Sequence, residues 1–242
     1  MSILKGTRLL IVLALAGLFA AKIPFAASAG PNILFQSTDG VTLSAHRFGS
    51  GSNWVILAHM FPADQTSWFS FADSLGASGW TALTFDFRGY GSSAGERDIS
   101  RIDRDLAGAV HYARRSGARR IVIIGASMGG TAALKVSASE PVDGVVALSP
   151  PVAFLGLTSE EALPSVRAPK FFLVSKDEMN VSVESVRRQY KAAPEPKRME
   201  VVPGAAHGSR MLEGKAGKSI QGEIIGFVRS IFAPRTDAQR GR

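Results

Sequence analysis

Apolar residues in this chain follow two rhythms that alternate along its length. Short continuous runs lie at Trp54–His59, Trp80–Phe85, Ile121–Ile124, Val142–Leu148, Lys170–Ser175 and Arg198–Val202. Runs of this length, rich in Val, Ile and Phe, predict strands buried on both faces. Between them the apolar positions take helical spacing. Trp68, Phe71, Ala72 and Leu75 share one face of Gln65–Ala77, and Ile99, Ile102, Leu106, Ala109, Val110 and Ala113 share one face of Ile99–Arg115. Val183, Val186 and Tyr190 mark a further helix, and Ile220, Ile224, Phe227, Val228 and Ile231 a closing one. Ahead of all these, Ile33–Ser37 and Val41–Phe48 meet at Asp39-Gly40 and predict a hairpin. Strand and helix in turn imply an α/β fold: a mainly parallel, twisted sheet of about eight strands with helices on both faces. Reactive groups then belong on loops at the carboxyl ends of the strands.

The two ends differ from this body. Met1–Ala29 has a basic start at Lys5 and Arg8, an apolar run from Leu9 to Ala21, a break at Pro24 and a small-x-small site at Ala27-Ser28-Ala29. That is the pattern of an export signal. The run is shorter than the ~20 residues that span a bilayer, and an uncleaved N-terminal anchor is the rival reading. Residues 30–234 form one domain, expected in the periplasm or outside the cell, with no stable membrane insertion of the mature chain. Residues 235–242 are a basic tail carrying Arg235, Arg240 and Arg242. The formal charge of +8 falls to +5 once Lys5, Arg8 and Lys22 leave with the leader, which holds no acid. No basic helix or aromatic-plus-basic sheet face suggests nucleic acid. The chain has no cysteine, so it forms no disulfide and no cysteine–metal site.

Chemistry concentrates where the run Ile121–Ile124 ends. Gly125-Ala126-Ser127-Met128-Gly129-Gly130 separates that strand from the helix formers Ala132, Ala133, Leu134 and Lys135. A strand turning this sharply into a helix needs tiny residues on either side of the apex. It projects the apical serine outward beside the free N–H groups of the helix N-terminus. The G-x-S-x-G pattern alone is weak, expected by chance roughly 0.3 times in such a chain. A second match, Gly91-Ser92-Ser93-Ala94-Gly95, runs into Glu96-Arg97-Asp98 instead of a helix and reads as a loop.

A serine hydroxyl needs a base, and the base needs an orienting acid. Of the four histidines, His46 lies in the hairpin, His59 ends a strand and His111 sits in mid-helix. His207 follows the last strand among small residues, Gly204-Ala205-Ala206, where an imidazole has room to meet another loop. Asp177 follows the Lys170–Ser175 strand and stands between serine and histidine in chain order. Glu178 is adjacent and able to substitute, and Asp86, upstream of the serine, is a weaker competitor. An oxyanion needs backbone donors. Met128 offers one N–H, and the loop Met60-Phe61-Pro62 after the strand ending at His59 offers the other.

With these residues in place the chain resembles the α/β-hydrolases, of the small esterase, lipase and dienelactone-hydrolase type. The resemblance rests on His59-Met60-Phe61-Pro62, Asp86-Phe87-Arg88-Gly89-Tyr90-Gly91-Ser92-Ser93, Gly125–Gly130, Asp177 and His207, in family order. It implies Ser127 as nucleophile, His207 as base, Asp177 as orienting acid, and Phe61 and Met128 as oxyanion donors. The implied activity is that of an exported serine hydrolase acting on a small carboxylic ester, with no cofactor and no metal. A peptidase or thioesterase on the same fold, or a non-catalytic binding protein, are the alternatives. One position departs from the family, which usually has glycine where this chain has Met60; the methionine bears on the Phe61 donor. The gap Ser149–Pro169 is long enough for a loop or one short helix, so any lid is minimal. Its Phe154, Leu155 and Leu157 either rim the site or pack on the body. Gly89-Tyr90-Gly91-Ser92-Ser93-Ala94 mimics a dinucleotide fingerprint but lacks the helix opening in its turn.

The leader makes a direct prediction. Expressed in a bacterial host, the exported protein should begin at Gly30 when its N-terminus is sequenced. An intact Met1 on membrane-bound protein would favour the anchor.

Overall fold

The computed structural model describes residues 32–234. The expected leader, 1–29, and basic tail, 235–242, lie outside the described residues. The hairpin forms as β1 (Asn32–Gln36) against β2 (Thr42–Phe48). There follow β3 (Asn53–Ala58), β4 (Thr81–Phe85), β5 (Arg120–Ala126) and β6 (Gly144–Leu148). A two-stranded ribbon, β7 (Ala153–Phe154) with β8 (Leu157–Thr158), precedes β9 (Lys170–Ser175) and β10 (Lys197–Val202). The main sheet has eight strands in the order β1-β2-β4-β3-β5-β6-β9-β10. From β4 to β10 every pairing is parallel, while β2 meets both β1 and β4 antiparallel. This is the α/β-hydrolase fold.

The alternation within each strand builds two cores. Ile121 and Ile123 of β5 point into one layer and Val122 and Ile124 into the other, all fully buried. The first layer packs under α2 (Ile102–Arg115), α3 (Met128–Val136) and α4 (Val183–Ala192). The second packs under α1 (Phe69–Ala77) and α5 (Gly214–Phe232). A strand flanked by helices on both faces has no solvated side, which is why its sequence reads as an unbroken apolar run.

Two helices start later than their apolar spacing suggests. Gln65–Trp68 and Ile99–Arg101 are 3₁₀ turns, each capped by an aspartate: Asp64 accepts from the Thr66 N–H, and Asp98 from the Ser100 N–H. A 3₁₀ first turn keeps nearly the same apolar face, so periodicity does not separate it from the α-helix that follows. The 3₁₀ turn Gly208–Leu212 had no periodic signal, being a single turn.

His59 joins the loops after β3 and β4. Its Nδ1–H donates to the Met60 carbonyl at 3.1 Å, and its Nε2 accepts the Phe87 N–H at 3.1 Å. Both nitrogens are used, so the ring is a neutral brace and not a free base. Burial lowers its pKa from 6.5 to about 4. Below pH 6.5 the unfolded chain takes up a proton that the folded chain refuses. The stability His59 contributes is therefore complete above pH 6.5 and lost as pH falls towards 4, by on the order of 3 kcal/mol. Urea midpoints should drop across this window, and His59→Gln should flatten the drop. Parallel curves for the two proteins would show that His59 is not responsible.

Candidate active site

Ser127 sits between β5 and α3 with φ +50° and ψ −119°, in a region that side chains rarely occupy. The crowding around it explains the small neighbours. A Cβ on Gly125 would lie 2.1 Å from the Gly129 carbonyl oxygen, and one on Gly129 would lie 2.4 Å from the Ala58 carbonyl oxygen. The turn is pinned from both sides: the Ser127 N–H donates to Leu148 O at 2.8 Å, and the Thr131 N–H donates to Ser127 O at 3.0 Å. Met128 is the first residue of α3, so its N–H is among the unpaired donors of that helix end.

Ser127 and His207 line the same cavity, of about 400 Å³, with Met60 and Phe61 on its wall. His207 lies on the loop after β10. That loop is held down by the Ser175 hydroxyl, which donates to Ala206 O at 2.6 Å. The His207 Nδ1 stands 2.9 Å from Glu178 Oε1. A carboxylate facing Nδ1 holds the proton there and leaves the lone pair on Nε2, the tautomer that a general base requires.

The acid against His207 is Glu178, and the expected pairing with Asp177 is corrected. Asp177 is exposed, and its N–H donates to Gly204 O at 2.9 Å. That backbone bond extends the β9–β10 pairing beyond the strands and turns the Asp177 side chain towards solvent. The next residue turns inward, and the Glu178 side chain is fully buried. Glu178 Oε1 also accepts the Val181 N–H at 3.0 Å, while Oε2 accepts the hydroxyl of Ser149. Ser149 opens the Ser149–Pro169 gap, where the sequence alone suggests no role for it.

Met60 is buried beside the cavity. Room for it comes from across the site: a Cβ on Gly208 would lie 2.8 Å from Met60 Sδ. Phe61, half-exposed, lines the cavity and meets Phe154 of the β7–β8 ribbon with ring centroids 5.8 Å apart. The two readings of the ribbon divide by residue: Phe154 rims the cavity, Leu157 is fully buried in the body, and Leu155, 66% exposed, fits neither. A second cavity, of about 670 Å³, shares Pro151, Asn180 and Val181 with the first.

The competing candidates are engaged elsewhere. The Ser93 hydroxyl donates to Asp86 O at 2.6 Å and accepts the Ser44 N–H at 2.9 Å. Asp86 is buried and accepts from the Gln65 N–H and Nε2 and from the Ser92 N–H. His46 pairs with Gln65 Oε1, and His111 meets Glu140 at the surface. Among the described residues no cluster of three or more His, Asp or Glu is placed to hold a metal, and no helix is long and apolar enough to cross a membrane.

A family model described as "alpha/beta hydrolase fold" matches residues 53–168. An uncharacterised protein of Mycobacterium tuberculosis is 27% identical over 225 residues, covering 81% of this chain and 80% of that one. Among solved structures, a Pyrococcus furiosus esterase superposes with a TM-score of 0.75 at 19% identity, covering 84% of this chain and 92% of its own. A Paleococcus ferrophilus monoacylglycerol lipase reaches 0.69 at 17%, covering 78% and 99%. At such identities the likeness to the solved structures is one of fold.

Proposed function

We propose that this chain, a member of the α/β-hydrolase family, is an exported serine hydrolase that cleaves carboxylic esters through an acyl-enzyme on Ser127. The observation that carries the proposal is that Ser127, on its strained turn, and His207, tied through Nδ1 to buried Glu178, face one cavity. Hydrolase names among the fold neighbours, an esterase and a monoacylglycerol lipase, point the same way. Export rests on the basic start, apolar run and Ala27-Ser28-Ala29 site of the leader.

In the proposed reaction Ser127 Oγ attacks the ester carbonyl carbon, and its proton passes to His207 Nε2. Glu178 holds the imidazolium in place. The tetrahedral oxyanion takes the N–H of Met128 and that of Phe61; losing one such donor costs roughly 2.7–4 kcal/mol of transition-state stabilisation. Collapse expels the alcohol, which leaves with the proton from Nε2. Water then repeats the sequence on the acyl-enzyme, frees the acid and restores the serine. The same groups serve a thioester or an amide, so those remain the alternative substrates. A non-catalytic binding role would leave the serine, histidine and buried carboxylate without a reason to converge.

Two measurements test this reading. A fluorophosphonate probe should label Ser127 covalently, and Ser127→Ala should abolish labelling and hydrolysis, while Ser93→Ala keeps most activity. Glu178→Gln should lower kcat by several orders of magnitude, through loss of the tautomer that frees Nε2, and Asp177→Asn should stay near wild type. The reverse ranking of the two carboxylates would sink the assignment of Glu178.

Substrate size follows from the walls. Each acyl methylene held in an apolar pocket contributes about 0.8 kcal/mol, so a preference for long chains needs a long apolar wall. Between β6 and β9 this chain has only a two-strand ribbon and a 3₁₀ turn, Leu163–Ser165, and Met60 occupies space beside the oxyanion loop. Specificity constants for p-nitrophenyl esters should peak at short or medium acyl chains, without a jump once droplets form. A steady rise to palmitate with interfacial activation would mark a lipase instead.

A further inference from the structure

Ser149 follows β6 in a fully buried position with φ +47°. Glycine adopts this backbone freely, whereas a side chain there is strained. A residue that is not glycine at such a place implies a use for its side chain. The Ser149 hydroxyl makes two bonds. It donates its one proton to Glu178 Oε2 and accepts the N–H of Gly208, the residue after His207, at 3.3 Å. Glu178 Oε1 is already taken by His207 Nδ1 and the Val181 N–H. Ser149 therefore supplies the side-chain bond to the other carboxylate oxygen and joins the acid to the histidine loop through one atom.

The consequence is geometric. A carboxylate held only through Oε1 can swing about its terminal torsion, which is broad and soft. Bonds to both oxygens fix its plane, and with it the direction of the His207 ring and its free Nε2. Charge-assisted bonds to a buried carboxylate are also the strong ones. We propose that Ser149 is a positioning residue for the hydrolytic site, setting His207 through Glu178, and that its hydroxyl, not its bulk, is what the site uses. This rests on the reading of Ser127, His207 and Glu178 as the reacting set.

Two variants separate hydroxyl from backbone. Ser149→Ala keeps the strain and loses the bonds; Ser149→Gly loses the bonds and relaxes the strain. Both should cut kcat by about 10- to 100-fold, the scale of a small misplacement of a reacting group, with KM changed less than about twofold. Ser149→Gly should melt no lower than Ser149→Ala. In a Glu178→Gln background the same Ser149 changes should cost less than about threefold, because a residue acting through Glu178 has nothing left to position. The downfield proton resonance of His207 Nδ1–H should be sharp in the wild type and broadened or shifted in Ser149→Gly.

The outcomes divide cleanly. Full kcat in a folded Ser149→Gly, or an unchanged Nδ1–H resonance, overturns the role of Ser149. So does a loss that is undiminished in the Glu178→Gln background. Wild-type protein that neither takes up a fluorophosphonate nor hydrolyses any ester defeats the underlying hydrolase reading. In that case the resonance still tests whether Ser149 orders the pair.

Discussion

The close approach of β5 to α3 is the constraint on which the rest depends. At Gly125 and Gly129 the two backbones nearly touch, and Gly129 also presses on the carbonyl of Ala58 in β3. No side chain fits there, so the chain reverses through Ser127 at positive φ. Such a conformation lasts only where the surroundings over-determine it. Here they do: β5 is the middle of the sheet, and its apolar residues feed both cores. The central position thus supplies packing that offsets the strain, and the strain in turn lifts one hydroxyl clear of the sheet.

Buried acids are the second constraint, and Asp105, Asp86 and Glu178 show what sets the site apart. Asp105 and Asp39 share Arg88, with Nη2 2.6 Å from each. Arg88 holds the Asp39 carboxyl well below its usual range, while burial pushes the Asp105 carboxyl up against the opposing pull of Arg88. Asp86 is closed off by three N–H donors. Both arrangements are complete in themselves and tie loops to the sheet. Glu178 is also fully partnered, but one partner is the imidazole of His207, a residue that lines a cavity. Among the three, only Glu178 is bonded to a histidine, the arrangement that the proposed general base requires.

What the sequence disclosed follows from range. Strands, helices and the serine turn are local, set by periodicity over a few residues and by the glycines at 125, 129 and 130. The distinction of Ser127 from Ser93 was legible for the same reason, because only one of them has a strand before it and a helix after it. The choice between Asp177 and Glu178 was not. It depends on a single residue of register in the turn after β9, fixed by the bond from Asp177 N–H to Gly204 O on another strand's loop. Ser149 was hidden similarly. Its partners lie 29 and 59 positions away, and a serine before two prolines reads as an ordinary turn.

Met60, in the loop after β3, shows the same limit of range. A methionine in place of glycine argues against close approach on sequence alone, yet His59 braces the Met60 carbonyl and Gly208 leaves space for the thioether. The residue without a side chain at this crossing is Gly208, on the facing loop that also carries His207. Bulk at Met60 and the missing side chain at Gly208 fit together, so a change at either residue acts on both. The five loops that meet here leave β3, β5, β6, β9 and β10 at their carboxyl ends. Parallel strands bring those ends together on one edge of the sheet, and that is why residues from Met60 to Arg210 converge on a single cavity while the intervening α-helices stay outside it.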